Sequence, residues 1–272
     1  MLEARGVTIA YGRRVAVAGA DLRIGAGELV ALCGPNGSGK SSLIGVMSGD
    51  LKPDLGEALI GGAPVAAFSV AALARRRAAL EQSPTLSAPF TVAVLAGLAI
   101  PREVPPAVAA EIAARAMAAV GLAHRADERV HSLSGGQQRR AHLARALAQL
   151  EAGRSLGGGE ALTLDEPTAG LDFAHQIRAM RAARVAADSG AAVLAALHDL
   201  SLAAAFADRI VLMRAGRIVT DEAPRAALSS DRLSEIYETP MCLFEAPDGG
   251  LCAVPSYLSP PFHSGASRCL SP

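Results

Sequence analysis

Hydrophobic positions in this chain come in short unbroken runs separated by glycine, proline and charged residues. Leu29–Cys33 is five apolar residues with no polar alternation, the pattern of a buried strand, and Ser42 to Ser48 continues as the first turns of a helix. Upstream, Leu2 to Ala10 has β character, with Val7, Thr8 and Ile9 leading to Tyr11-Gly12. Asp21-Leu22-Arg23-Ile24 offers a second strand that ends at a Gly-Ala-Gly turn. Downstream, Gly56 to Ile60 is a short strand before Gly61-Gly62, and Ala78 to Glu81 reads as another, ending at Gln82.

From Pro84 to about Leu150 the pattern turns helical. Ala109 to Val120 is continuous in good helix formers with Gly121 as its stop, and Leu143, Leu147 and Leu150 at i, i+4 and i+7 mark a helix with one buried face. The glycine-rich stretch Ala152 to Gly159 predicts a loop. Strand character returns in Ala161 to Leu164 and in Ala192 to Leu197, separated by a helix from Phe173 to Ala187 on which Arg178, Arg181 and Arg184 form a solvated face. Arg209 to Met213 and Arg217 to Thr220 read as a β-hairpin, and Arg225 to Tyr237 as helix. Pro, Ser, Cys and Gly accumulate from Thr239 onward, and Ser256 to Pro272 reads as a disordered tail.

Composition narrows the possible roles. Lys+Arg and Asp+Glu are each 26, a net charge of zero, so the chain carries no global basic footprint for nucleic acid and partners must be sought in local sites. Mean hydropathy is +0.30, yet no uncharged apolar stretch approaches the length of a membrane span: Val104 to Val120 contains Glu111 and Arg115, and Gly190 to Ala207 is broken by His198-Asp199. Met1-Leu2-Glu3-Ala4-Arg5 lacks the apolar core of a secretory signal, which predicts a cytoplasmic location. Cys33, Cys242, Cys252 and Cys269 show no C-x-x-C spacing and imply neither a zinc site nor a disulfide framework.

The chemistry centres on Gly34-Pro35-Asn36-Gly37-Ser38-Gly39-Lys40-Ser41, of the form G-x-x-x-x-G-K-[ST], set between a buried strand and a helix. Glycines let successive backbone N–H groups curl around an anion, and the helix behind them aims the positive end of its dipole at the same place. Lys40 is placed to reach the β- and γ-phosphates and Ser41 to ligate Mg²⁺. A second pair of candidates is Asp165-Glu166 at the carboxyl end of an apolar strand, Asp165 holding the metal and Glu166 activating water; a strand followed by a charged turn is the competing reading, and Pro167 fits both. Ser134, Gly135 and Gly136 in Leu133-Ser134-Gly135-Gly136-Gln137 offer hydroxyl and N–H donors at a helix start; an ordinary serine N-cap is the competing reading. Tyr11 suits adenine stacking or packing at a sheet edge equally, and His198, after a buried strand, suits a γ-phosphate contact over a structural role.

In this order the motifs resemble the ATP-binding subunits of ABC transporters from Met1 to about Pro240. Tyr11 matches the adenine-stacking residue, Gly34 to Ser41 the Walker A loop, Gln82 the Q-loop, Leu133 to Gln137 the signature, Leu162 to Glu166 Walker B, Asp172 the end of the D-loop, and His198 the H-loop. Phe90-Thr91-Val92, Leu197-His198-Asp199-Leu200 and Ala207-Asp208-Arg209-Ile210 are similar to the branch that imports iron-siderophores, cobalamin and haem, and the enlarged connection Glu151 to Gly159 is similar to its haem-import members. Glu81 departs from the proline that often precedes the Q-loop glutamine, and Thr163 interrupts the Walker B apolar run.

The fold implied is α/β: a P-loop NTPase core with an N-terminal antiparallel β subdomain and an α-helical subdomain inserted at about 84–155. The ATPase domain would cover 1–240 and a partly disordered extension 241–272. The resemblance implies ATP and Mg²⁺ as cofactors. Nucleotide would be held by Tyr11, Gly34, Pro35, Asn36, Gly37, Ser38, Gly39, Lys40, Ser41 and Ser42 of one copy. Ser134, Gly135, Gly136 and Gln137 of a second copy, paired head to tail, would close over it. Ser41, Gln82 and Asp165 would serve the metal, and Glu166, His198, Gln82 and Lys40 the catalysis. Two membrane permease subunits and, indirectly, an extracytoplasmic binding protein are the further partners implied, at the cytoplasmic face of the inner membrane. Haem is the cargo indicated, a ferric siderophore or cobalamin the alternatives; a soluble ABC protein acting on nucleic acid is disfavoured by the neutral charge and the single cassette.

Overall fold

The computed structural model describes residues 1–82 and 89–256. The chain opens with strands β1 (Leu2–Tyr11) and β2 (Arg14–Ile24), then β3 (Leu29–Cys33), helix α1 (Lys40–Ser48), β4 (Leu55–Ile60) and the two-residue β5 (Ala63–Pro64). Helix α2 (Val70–Arg76), capped by the Ser69 hydroxyl, leads into β6 (Arg77–Leu80). Helices α3 (Val92–Gly97), α4 (Pro106–Ala119) and α5 (Gly135–Ser155) follow, then β7 (Ala161–Asp165), α6 (Phe173–Asp188), β8 (Ala192–Ala196), α7 (Leu200–Phe206), β9 (Arg209–Arg214) and β10 (Arg217–Glu222). The last elements are α8 (Pro224–Ala227), α9 (Ser230–Tyr237), β11 (Met241–Glu245) and β12 (Leu251–Pro255).

A six-stranded sheet of order β10-β9-β3-β8-β7-β6 runs through the centre, parallel except for the β9–β10 hairpin. Every residue of β3, β7 and β8 is buried, which is why β3 and β8 are unbroken apolar runs, while β7 buries Thr163 and Asp165 among its apolar residues. Side chains alternate across a strand, and the two parities enter two different cores. Leu29, Ala31, Cys33, Leu162, Leu164, Val193 and Ala195 face the helical side with α3, α4, α5 and α6. Val30, Leu32, Ala161, Ala192, Leu194 and Ala196 face α1 and the antiparallel sheet of order β2-β1-β4-β5.

The second predicted strand is longer than its core of Asp21–Ile24 indicated: β2 pairs with β1 from Arg14 onward, across register shifts that permit the Gly6 and Gly19 positions at positive φ. The stretch Ala152–Gly159 is not a loop throughout. α5 continues to Ser155, because Gly153 is needed where a Cβ would lie 2.3 Å from the Arg75 carbonyl oxygen: the glycine permits close packing against the end of α2. Nor does α5 bury a single face. Ala141, Leu143, Ala144, Ala146, Ala148, Leu150 and Ala152 are all buried, since the helix lies between α3–α4 on one side and α2, β6 and α6 on the others.

Arg184 leaves the solvated face predicted for α6: it pairs with Asp188 at 2.8 Å and Asp208 at 2.7 Å and donates to the Gly27 carbonyl, whereas Arg178 and Arg181 are exposed. The predicted helix Arg225–Tyr237 divides in two, because Ser229 caps α9 and interrupts it. Within 241–255, β11 and β12 form a hairpin seated against α7 and α9 that composition did not indicate. The predicted tail beyond Ser256, and the start of the helical stretch at Pro84–Ala88, lie outside the described residues. No described helix is long and apolar enough to cross a membrane.

Candidate functional site

Three parallel strands deliver their carboxyl ends to one place, where β3 runs into the Gly34–Ser41 loop, β7 ends on Asp165 and β8 is followed by His198. Two glycines make the loop possible. At Gly34 (φ +144) a Cβ would lie 2.2 Å from the Met213 carbonyl oxygen, and at Gly39 (φ +106) 2.3 Å from that of Ala16. The loop is fastened from outside by Gly216 N donating to Ser38 O at 3.0 Å. The first hydrogen bond at the start of α1 runs from Leu43 N to Gly39 O, so the amides of Lys40, Ser41 and Ser42 have no acceptor within the helix. This is the positive end of a helix, lined by N–H groups, behind a loop shaped for an anion.

Lys40 is buried and folds back on its own loop, its Nζ donating to the carbonyls of Gly34 at 2.8 Å and Pro35 at 3.1 Å. Burial pulls its pKa down, opposed in part by the nearby carboxylates of Glu166 and Asp165. Asp165 is also buried: desolvation raises its pKa, and the Ser41 hydroxyl, in hydrogen-bond contact, works against the rise. Its Oδ1 has no hydrogen-bond partner. A buried carboxylate oxygen left over beside a serine hydroxyl is an oxygen-only donor pair, and it fits a hard divalent cation such as Mg²⁺, which takes one or two protein oxygens and completes its shell with water and phosphate. No cluster of three or more His, Cys, Asp or Glu suited to a metal exists among the described residues, so the protein alone supplies only part of such a shell.

Glu166 is held in the left-handed backbone region at φ +52, a conformation costing a non-glycine residue on the order of 1 kcal/mol. Its Oε1 receives two contacts, from His198 Nε2 at 2.8 Å and from Gln82 Nε2 at 3.1 Å. Burial alone would raise its pKa; the hydrogen bond and charge of His198, the Gln82 hydrogen bond and the Arg139 charge outweigh it and hold the carboxyl below its ordinary value. Tyr11, at the end of β1, is 56% exposed with its hydroxyl 3.4 Å from Ser42 Oγ, which is not the position of a residue packed at a sheet edge.

A cavity of about 650 Å³ is lined by Tyr11, Asn36, Gly37, Gly39, Lys40, Ser41, Ser42, Gln82, Glu166 and His198 together. Arg14 also lines it and donates to the Gly37 carbonyl at 3.2 Å. Nothing in the sequence singles out Arg14, since its partner is a main-chain oxygen.

Ser134 to Gln137 are not in that cavity. They line a second one of about 850 Å³ with Ala169 to Asp172 and His175; Gln82 borders both. Ser134 is a true N-cap: its hydroxyl accepts from Gln137 N at 3.4 Å and Gln137 Oε1 accepts from Ser134 N at 2.9 Å, a reciprocal capping box. The capping reading therefore holds, and it coexists with exposure of Ser134 and Gly135 to the cavity. Gly136 packs against the Gly170 carbonyl, where a Cβ would come within 2.9 Å. Of the histidines outside the site, His142 is buried, and His124 and His131 are exposed.

An anion-binding loop before a helix, a pair of carboxylates at a parallel strand end and a serine-glycine helix start on a separate face define a P-loop ATPase cassette. Residues 17–169 match the ABC transporter family. The hemin import ATP-binding protein HmuV of Rhodopseudomonas palustris (strain CGA009) is 42% identical over 237 residues, 87% of this chain and 88% of that one. The HmuV protein of Bradyrhizobium diazoefficiens is 41% identical over 198 residues, 71% of this chain and 72% of that one. Among solved structures, the dimeric bacterial ABC transporter cassette MJ0796 superposes with a TM-score of 0.73 at 25% identity, covering 83% of this chain and 99% of that one. An inward-facing putative metal-chelate type ABC transporter does so with 0.75 at 22%, covering 94% and 98%, and shares the fold. The chain belongs to the ABC transporter family, as an ATP-binding and ATP-hydrolysing subunit.

Proposed function

We propose that this subunit drives haem (hemin) uptake through a membrane permease, hydrolysing ATP at the interface of a head-to-tail homodimer on the cytoplasmic face of the inner membrane. The haem assignment rests on identity of 42% over most of the chain to a hemin import ATP-binding protein. The hydrolytic reading rests on one relationship: the Glu166 carboxylate is fixed through Oε1 by His198 and Gln82, in the cavity that also holds Lys40 and Ser41.

Oε2 of Glu166 accepts no hydrogen bond among the described residues, so it is the oxygen available to orient an attacking water and take its proton. Lys40 would exchange the carbonyls of Gly34 and Pro35 for phosphate oxygens, an exchange of neutral acceptors for charged ones. Ser41 and Asp165, with Gln82 beside them, would hold Mg²⁺, which would supply neutralisation of the developing phosphate charge. His198 steadies Glu166 and, lining the same cavity, would contact the terminal phosphate. Tyr11 offers an aromatic face to adenine, and Ser134, Gly135, Gly136 and Gln137 of the second copy complete the enclosure, which agrees with their separation from the Gly34–Ser41 loop within one chain.

Two copies would sit under two permease subunits, with an extracytoplasmic binding protein supplying cargo. The test is ATPase activity of the subunit co-purified in lipid with the permease encoded beside it. Stimulation by a haem-loaded binding protein alone supports the assignment; stimulation only by a siderophore- or cobalamin-loaded one replaces the cargo and leaves the ATPase intact.

A further inference from the structure

Arg139, in the second turn of α5, spends its guanidinium on three main-chain carbonyls. Nε donates to Glu166 O at 2.6 Å, Nη1 to Gln82 O at 2.7 Å and Nη2 to Asp165 O at 2.7 Å. The acceptors come from three points of the chain's active-site wall: the loop just after β6, the last residue of β7 and the residue after it. The side chains of Gln82 and Glu166 line the cavity, with the Gln82 contact on Glu166 Oε1, and that of Asp165 is buried beside Ser41. A guanidinium is planar, and its donors diverge at fixed angles, so three simultaneous bonds set the relative positions of the three carbonyls.

Two observations show why this clamp matters. Glu166 sits in a strained left-handed conformation, which persists only where surrounding contacts impose it, and Nε of Arg139 bonds its own carbonyl. Arg139 also borders the second cavity, and the first turn of its helix is the Ser134–Gln137 segment. One rigid helix turn thus joins the surface that faces a partner's nucleotide to the backbone that aims this chain's own carboxylate.

We propose that Arg139 is a positioning residue for hydrolysis, its guanidinium holding the backbone of Gln82, Asp165 and Glu166 so that the Glu166 carboxylate is aimed, and tying that aim to the placement of the signature helix. It rests on the ATPase reading above. Arg145 supplies the contrast: it is on the same helix and donates to a strand carbonyl, that of Ala79 at 3.1 Å, but it lines neither cavity. A purely structural arginine behaves like Arg145.

The experiment measures steady-state ATP hydrolysis, affinity for a fluorescent ATP analogue and thermal unfolding for the full chain and for R139Q, R139K and R145Q. R139Q is expected to lose about tenfold or more in kcat, with KM and analogue affinity within about threefold of the unsubstituted chain. R139K, which keeps the charge and loses the fork, is expected to lose more than about threefold in kcat but less than R139Q. R145Q lowers the unfolding temperature and leaves kcat within about threefold. The proposal is overturned if R139Q keeps kcat within that margin, if KM rises while kcat is preserved, or if R145Q loses as much kcat as R139Q. Should R139Q fail to unfold cooperatively, R139K decides by the same criteria. An unsubstituted chain that binds the analogue yet hydrolyses nothing, alone or with its permease, overturns the ATPase reading itself, a result separate from any difference among the variants.

Discussion

His198 Nε2 lies 2.8 Å from Glu166 Oε1, and this contact together with the Gln82 hydrogen bond keeps the carboxyl ionised below its ordinary range despite its burial. A base with a lowered pKa stays deprotonated as pH falls, so removing the cause of the lowering moves the loss of activity to higher pH. His198→Ala should shift the acid limb of the kcat profile upward as well as lowering its plateau. An acid limb at the same pH in both proteins would show that His198 does not set the Glu166 proton affinity. Glu166→Gln, which cannot accept the proton, should lose about 10²–10⁴-fold in kcat while still binding ATP; near-normal turnover would sink the assignment.

Lys40 and Gly39 test the phosphate loop in different ways. Lys40→Ala removes charge-assisted bonds worth about 1.5–3 kcal/mol each, so ATP affinity should fall by roughly tenfold to a hundredfold or more. Gly39→Ala keeps the amine but adds a Cβ 2.3 Å from the Ala16 carbonyl oxygen at φ +106, and should weaken both the fold and nucleotide binding. Calorimetric titration with ATP, set beside thermal unfolding, reads both: Lys40→Ala loses affinity and, because its Nζ also holds the Gly34 and Pro35 carbonyls, some unfolding temperature, whereas Gly39→Ala, with its Cβ against backbone, loses more unfolding temperature. Unchanged affinity in Lys40→Ala would remove the lysine from the phosphate site.

Ser134 lines a cavity apart from the Gly34–Ser41 loop, so an arginine there leaves the loop's own cavity intact. Ser134→Arg should bind ATP as monomer yet fail to dimerise with it, and should lose the capping box, costing about 0.5–2 kcal/mol of stability. Sedimentation of the Glu166→Gln background with and without this change reads the outcome; an ATP-bound dimer carrying Ser134→Arg would contradict a shared site.

His142 is buried in α5, and burial, helped by Arg145 and Arg139, pushes its pKa from 6.5 down to about 4. Unfolded chains bind the proton near pH 6.5 while the folded one resists it until about pH 4, so this group's contribution is fully present above pH 6.5 and is lost as pH falls toward 4. Within that window it removes up to about 1.4 kcal/mol per pH unit. Urea unfolding at pH 7 and pH 5 should show a steeper loss for the unsubstituted chain than for His142→Met, and parallel losses would refute the burial argument.

Much of the architecture was legible because its signals are local. Leu29–Cys33, Ala161–Asp165 and Ala192–Ala196 are buried throughout since each strand feeds two cores, and in Leu29–Cys33 and Ala192–Ala196 that duplication is visible in the sequence as missing alternation. The end of α5 was not legible: glycine composition argued for a loop, while the actual need was for a small residue against the Arg75 carbonyl, a contact between segments far apart in the chain. The β11–β12 hairpin was missed because its strands are half-buried and seated on α7 and α9, and pattern alone carries little signal there.

By itself the sequence determined the loop at Gly34–Ser41, the order of the motifs around it and the candidate residues for its chemistry, because phosphate binding and strand burial require particular residues at particular spacings. The tertiary structure decided how those residues meet. It placed Gln82 and His198 on one oxygen of Glu166, left Asp165 Oδ1 without a partner, brought Arg14 to the loop, and set Arg139 across three carbonyls. The reason is chemical: every residue carries a carbonyl, so an arginine that bonds main-chain oxygens leaves no mark on its partners' identities, and only folding reveals which ones it holds.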